Sequence, residues 1–171
     1  NIMGASKRIM EDVIFSYSDK FPVKTARFAN VAFSNGSLPD GFLHRIAKLQ
    51  PISAPNDVRR FFVSPEESGQ ICMLACILGK NRQIFFPKLD DAQMMSFDMI
   101  AAKLLEEHGY TLLYCQSEQE AIDKAEELKK GSTRYPVCFQ PSNTSGEKPY
   151  EEFYTETETI DRDRFHSLGV I

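Results

Sequence analysis

Met3 and Lys7 stand one helical turn apart in "NIMGASKRIM", at the head of an apolar stripe made by Ile9, Met10, Val13, Ile14 and Tyr17. Helical spacing puts Met3, Lys7, Met10 and Ile14 on one face, so a thioether and an ammonium can point together into a cleft. An ammonium placed there holds a polar ligand, or lowers the pKa of a neighbouring acid–base group through its charge. Methionine transfers no proton. Further along, "SNGSLPDG" (residues 34–41) has the Gly, Asn, Ser and Pro content of a sharply turning backbone whose amides are free to meet a ligand.

Other chemistry-bearing residues point to less. Cys72, Cys76, Cys115 and Cys138 form no C-x-x-C pair and have no histidines at zinc spacing, so no metal site is expected. Cys72 and Cys76 lie one turn apart, where two small residues on a core face are the expected reading. His44 falls in an expected helix, His108 at a helix end and His166 near the C-terminus. Each suits packing, capping or solvent better than catalysis.

The elements that must position these residues follow from patterning. The 171 residues suit one domain with a real core, and the net charge of −4 carries no basic, aromatic-interleaved face for nucleic acid. No membrane span or leader is expected, and the cytoplasm is the default location. After the opening helix, "VKTARFANVAF" reads as a buried strand, "FLHRIAKLQ" as a short helix ended by Pro51, and Phe61–Val63 as a strand. Ser64, Pro65 and Glu67 then make a capping box, Ile71, Leu74, Ala75 and Leu78 a buried stripe, and Gly79 a stop. "RQIFFP" and "TLLYCQ" are strands. "SFDMIAAKLLEEHG" and "SEQEAIDKAEELKKG" are capped helices, the second with Ser117 and Glu120 as its box. Strands and helices therefore alternate, as in an α/β protein. Residues 140–171 are polar and turn-rich, with anchors at Tyr150, Phe153, Phe165 and Leu168, and read as a tail on a body formed by 1–139. Neither G-x-G-x-x-G nor the Walker pattern occurs, so the sequence has no recognisable nucleotide cradle.

Three segments carry a resemblance: "MGASKR", "RFANVAFSNGSLPDGF" and "RRFFVSPEESGQ". Together they resemble the C-terminal part of extended short-chain dehydrogenases/reductases, nearest the nucleotide-sugar 4,6-dehydratases and epimerases of bacterial polysaccharide biosynthesis. The likeness extends to about residue 110 and more loosely over the tail. "MGASKR" matches the helix of the family's Y-x-x-x-K, with Met3 where most members have tyrosine. "RFANVAFSNGSLPDGF" is similar to R-[FY]-G-N-V-x-G-S-x-G-S-x-x-P-x-F, although Ala29 and Phe33 replace its glycines and Pro39 sits one place early. "RRFFVSPEESGQ" is similar to T-R-F-[WF]-x-[ST]-x-x-[ED]-[AG].

The resemblance implies an α/β fold: the substrate-side part of a Rossmann-type enzyme whose dinucleotide-binding half is not in this sequence, with residues 1–30 a remnant of the nucleotide-binding sheet. It implies a UDP-sugar substrate, specifically a UDP-N-acetylhexosamine, oxidised transiently at C4 by NAD or NADP, and a homo-oligomer. Neither cofactor is expected to bind this chain alone. Lys7 takes the place of the lysine on the cofactor ribose, and Met3 removes the usual tyrosine, which moves acid–base work to residues outside this sequence. Asn30 matches a substrate-contacting asparagine, Ser34, Gly36 and Ser37 lie in the loop over the nucleotide, and Arg60 matches a diphosphate arginine, with Arg59 as a fallback. A C4 or C5 epimerase and a non-catalytic binding or oligomerisation module are the alternatives. The opening helix and the "VKTARFAN" strand are expected to lack neighbours for their apolar faces, and so to pair with another copy or pack abnormally.

Overall fold

In the computed structural model, residues 2–143 and 152–171 are described, apart from the side chain of Met3. Along the chain run α1 (Ile2–Phe15), β1 (Lys24–Ala26), β2 (Asn30–Val31), α2 (Leu38–Ala47), β3 (Ile52–Pro55), β4 (Arg59–Arg60), β5 (Phe62–Val63) and α3 (Pro65–Leu78). They are followed by β6 (Gln83–Pro87), β7 (Met95–Ser96), α4 (Phe97–Glu107), β8 (Thr111–Tyr114), α5 (Glu118–Lys124), α6 (Glu126–Lys129), β9 (Arg134–Gln140) and β10 (Leu168–Val170). The fold is mixed α/β. It divides into two compact units: Asn1–Val31, Phe61–Gln93 and Glu151–Ile171 form one, and Ala32–Arg60 with Met94–Tyr150 the other.

The first unit is built on β6, which pairs in parallel with β1 and antiparallel with β10. Phe85 and Phe86 face opposite sides of that strand, as alternation requires. Phe85 packs with Ile71 and Ala75 of α3 and with Leu168, Val170 and Phe165. Phe86 meets Phe153 and Tyr154, at ring-centroid distances of 6.2 and 5.3 Å. The segment from residue 152 onward therefore supplies a strand and three aromatic anchors to this unit. Glycine at position 79 ends α3 for reasons of space, since a Cβ there would lie 2.4 Å from the Ala75 carbonyl oxygen.

Three expectations change here. "VKTARFANVAF" is not one strand: the Arg27 amide still bonds to Phe85 O, but the Asn30 amide bonds to Phe61 O, so the chain leaves β6 and pairs in parallel with β5. In α3 only Ile71 and Ala75 of the anticipated stripe are buried, while Leu74 and Leu78 are exposed together with Met73 and Ile77. Cys72 and Cys76 are exposed as well, not on a core face.

The second unit centres on a parallel sheet in the order β3-β9-β8. Ile52, Tyr135, Val137 and Cys138 are fully buried in it, with Phe42 of α2 and Ala101 and Leu105 of α4 among its buried apolar residues. The Tyr135 hydroxyl lies against the Gln50 and Arg45 carbonyls, so this polar atom keeps partners inside the core, and burial pushes its pKa up. "SEQEAIDKAEELKKG" forms two helices, α5 and α6, joined at Ala125. Gly109 follows α4 in the left-handed region, at φ 80°, as the pattern of a helix stop requires. Among the described residues no helix is long and apolar enough to cross a membrane.

Candidate functional site

Lys7 lies on α1 with its side chain exposed; the side chain of Met3 falls outside the described residues. Ile2, Ile9, Met10, Val13 and Ile14 are exposed too, so these apolar side chains have little cover among the described residues. Only Glu11 and Phe15 are partly buried among the described side chains of α1. The contact that anchors the helix is charged. Arg27, just beyond β1, donates to Glu11 through Nε (2.9 Å) and Nη2 (2.6 Å). It donates also to Glu158 through Nη1 (3.0 Å) and Nη2 (2.7 Å), and through Nη1 to Phe153 O (2.9 Å).

These five bonds use all five guanidinium donors. The hydrogen bonds that Arg27 donates to Glu11 and Glu158 raise its pKa further, against the opposing effect of burial. Glu158 is held down to about 2, chiefly by Arg27, with its Oε2 also accepting from the Thr155 amide at 2.8 Å. Arg27 opens the "RFANVAF" segment of the resemblance, but its grip on Glu11 and Glu158 carried no signal, because these partners lie 16 and 131 residues from it in sequence.

The other anticipated residues fall in both units. Asn30 is in the first, on β2, where its Nδ2 donates to Phe61 O at 3.2 Å. Ser34, Gly36, Ser37 and Arg60 are in the second. Arg60 is on β4, paired in antiparallel register with Met95 of β7, and its Nη1 donates to Arg59 O at 2.8 Å. Arg59 is more exposed and donates to Met94 O at 3.3 Å.

"SNGSLPDG" divides differently from expectation. The helix begins at Leu38, inside the segment read as a loop, because Ser37 caps it and Pro39 occupies its second position. Ser37 Oγ accepts from the Asp40 amide at 3.3 Å, and Asp40 Oδ2 accepts from the Gly36 amide at 3.2 Å. Phe33, where the resembling pattern has glycine, takes the left-handed conformation at φ 55°. Ser34 and Gly36 remain exposed.

A dinucleotide pyrophosphate needs a helix N-terminus with open amides. The starts of α2, α3 and α5 are capped by Ser37, Ser64 and Ser117. At α3 the full capping box forms, with Glu67 Oε2 accepting from the Ser64 amide at 2.6 Å. At α5 Glu120 reaches one residue further back, to the Gln116 amide. Ser96 precedes α4 without a side-chain cap bond, and there Asp98 in the first turn opposes an anion. At these four starts the amides are already engaged by a cap or the first-turn charge opposes an anion. No cluster of three metal-ligating side chains occurs among the described residues.

Over its full length, residues 1–171, the chain matches the family described as "Polysaccharide biosynthesis protein". It is 32% identical over 114 residues to the probable polysaccharide biosynthesis protein EpsC of Bacillus subtilis (strain 168), covering 65% of this chain and 19% of that protein. It is 25% identical over 158 residues to the capsular polysaccharide biosynthesis protein CapD of Staphylococcus aureus, covering 90% of this chain and 25% of CapD. An uncharacterized membrane protein of Methanocaldococcus jannaschii, MJ1061, is 26% identical over the whole chain, which spans 47% of it. The chain thus spans less than half the length of these relatives. Among solved structures, the X-ray structure of Pen from Bacillus thuringiensis superposes with a TM-score of 0.63 at 21% identity, over all of this chain and 47% of Pen.

Proposed function

The chain belongs to the polysaccharide biosynthesis protein family, and from that premise we propose that it is the C-terminal, substrate-side part of a nucleotide-sugar 4,6-dehydratase acting on a UDP-N-acetylhexosamine. NAD or NADP would supply the transient oxidation at C4 in such a reaction, and the roles assigned here concern substrate and ribose contacts. The observation that carries the reading is the family match along the whole chain, within which Lys7, Asn30 and Arg60 follow one another in the resembling order.

Arg60 is assigned the diphosphate. A guanidinium meets two phosphate oxygens with parallel, charge-assisted bonds, which an ammonium cannot do. Ser34, Gly36 and Ser37 are assigned the nucleotide end. The Ser37 oxygen accepts within its own cap and keeps its hydroxyl hydrogen to donate to a ligand. Asn30 is assigned a hydrogen bond to the substrate. Lys7 is assigned the cofactor ribose, where its fixed charge also stabilises a nearby anionic acid–base group.

Paired titrations of the protein carrying this chain, with a UDP-sugar and with NAD(P), test these roles. Arg60→Ala should weaken sugar-nucleotide binding by roughly 2–4 kcal/mol, as truncating one member of a desolvated charge pair does, and leave cofactor binding unchanged. Lys7→Ala should do the reverse. Equal losses for both ligands in Arg60→Ala indicate misfolding, and unchanged sugar-nucleotide affinity removes Arg60 from the site.

A further inference from the structure

We infer that Arg27 is a positioning residue that sets the orientation of α1, and with it of Lys7, by holding Glu11 while it is itself held by Glu158 from the C-terminal segment. The inference rests on the assignment of Lys7 above.

Glu11 follows Lys7 by four residues, so the two share a helix face and turn together when α1 turns about its axis. Within its own unit α1 has little else to fix that turn, because among its described side chains Ile2, Ile9, Met10, Val13 and Ile14 are exposed and only Glu11 and Phe15 are partly buried. The grip on Glu11 is bidentate, at 2.6 and 2.9 Å, and so restrains direction as well as distance. Its base is rigid, since the Arg27 amide is bonded at 2.8 Å to Phe85 O of the central strand β6.

Glu158 makes the grip depend on the C-terminal segment. With Phe153 O it takes the remaining donors of Arg27, so the guanidinium has one geometry in which every donor is used. Arg8 lies 3.3 Å from the same Glu158 oxygen and 3.5 Å from Glu11, closing the charge balance of the cluster from the helix side. The flanking anchors of this segment, Phe153 on Phe86 and β10 on β6, fix Glu158 independently of α1.

The test uses the protein carrying this chain, with Arg27→Lys, Arg27→Met and Glu158→Gln variants, and reads amide hydrogen exchange alongside steady-state kinetics. Expected is a loss of protection in α1 of about tenfold, the scale of a lost hydrogen bond to a charged group, with the amides of β6 and β10 unchanged. Arg27→Lys should not restore it, since an ammonium cannot hold two carboxylates in fork geometry. The KM for NAD(P) should rise by a similar factor, with the KM for the sugar nucleotide little changed.

Unchanged α1 protection in Arg27→Met, with β6 and β10 still protected, overturns the inference whatever the activity. If Arg27→Met loses protection throughout, Glu158→Gln serves as the milder change, and α1 protection equal to wild type there overturns it too. A wild-type protein that turns over no sugar nucleotide contradicts the proposed function instead, and leaves the exchange result to decide the role of Arg27 in holding α1.

Discussion

The Gly36 amide donates to Asp40 Oδ2 at 3.2 Å, so a backbone donor suited by sequence to a ligand is engaged by a carboxylate four residues on. Asp40 is the third residue of α2, the place from which a capping-box carboxylate reaches back to the cap residue. Here it reaches one residue further, because the Ser37 amide is bonded to Ser34 O at 2.9 Å. The turn before α2 is thus fixed by its own side chains. A ligand at this turn meets the Ser37 hydroxyl hydrogen more readily than the Gly36 amide.

Replacing Asp40 by alanine removes that bond and the negative charge in the first turn of α2. Stability should fall by about 1 kcal/mol, measured by urea denaturation, and exchange of the Gly36 amide should quicken. Unaltered Gly36 exchange would show that the carboxylate does not protect it.

Acid should release the C-terminal segment before it unfolds the rest of the first unit. Glu158 sits at about 2 in the folded protein, below the usual carboxylate range, so the stability it contributes is present above its unfolded value and lost as pH falls through the folded one. The contribution is on the order of 2–3 kcal/mol at neutral pH. It should drain away between about pH 5 and pH 2, the interval between the unfolded and folded values. Thermal melts across that interval should show a shallower acid dependence in Glu158→Gln than in the wild type. Parallel curves would mean that Glu158 is not bound to Arg27 in solution.

Gly169 reports whether β10 lies as described. A Cβ at this position would stand 2.2 Å from Cζ of Phe86 and 2.6 Å from Cε1, inside the ring's contact radius. Gly169→Ala should therefore destabilise by about 1–3 kcal/mol through overpacking, read from chemical denaturation. An alanine tolerated without loss would place this strand elsewhere.

What the sequence made legible was local. The Ser64–Glu67 box, the stop at Gly79 and the glycine after α4 are each decided by residues within a turn of one another, and each is found where the pattern puts it. Tertiary choices were not legible. The switch of the chain from β6 to β5 between Arg27 and Asn30 depends on carbonyls at Phe85 and Phe61. In β10, three residues centred on a glycine have little strand propensity of their own, and they form a strand by pairing with β6, where Phe86 leaves room for nothing larger than the glycine. Leu74 and Leu78 matched a buried stripe, yet periodicity states which residues share a face and not what lies against it. Motif comparison singled out Lys7, Asn30 and Arg60. It contained Arg27 as the first residue of "RFANVAF" but gave it no role, since its five bonds are visible only once Glu11, Phe153 and Glu158 come together.

The most direct measurement of the central claim is the mass and ring configuration of the product formed when the protein carrying this chain is incubated with UDP-N-acetylglucosamine and NAD or NADP. A 4,6-dehydratase gives a sugar nucleotide lighter by one water, with a keto group at C4 and a methyl group at C5. A product of unchanged mass with C4 or C5 inverted would contradict dehydration in favour of epimerisation, and unaltered substrate in the presence of folded, ligand-bound protein would contradict both.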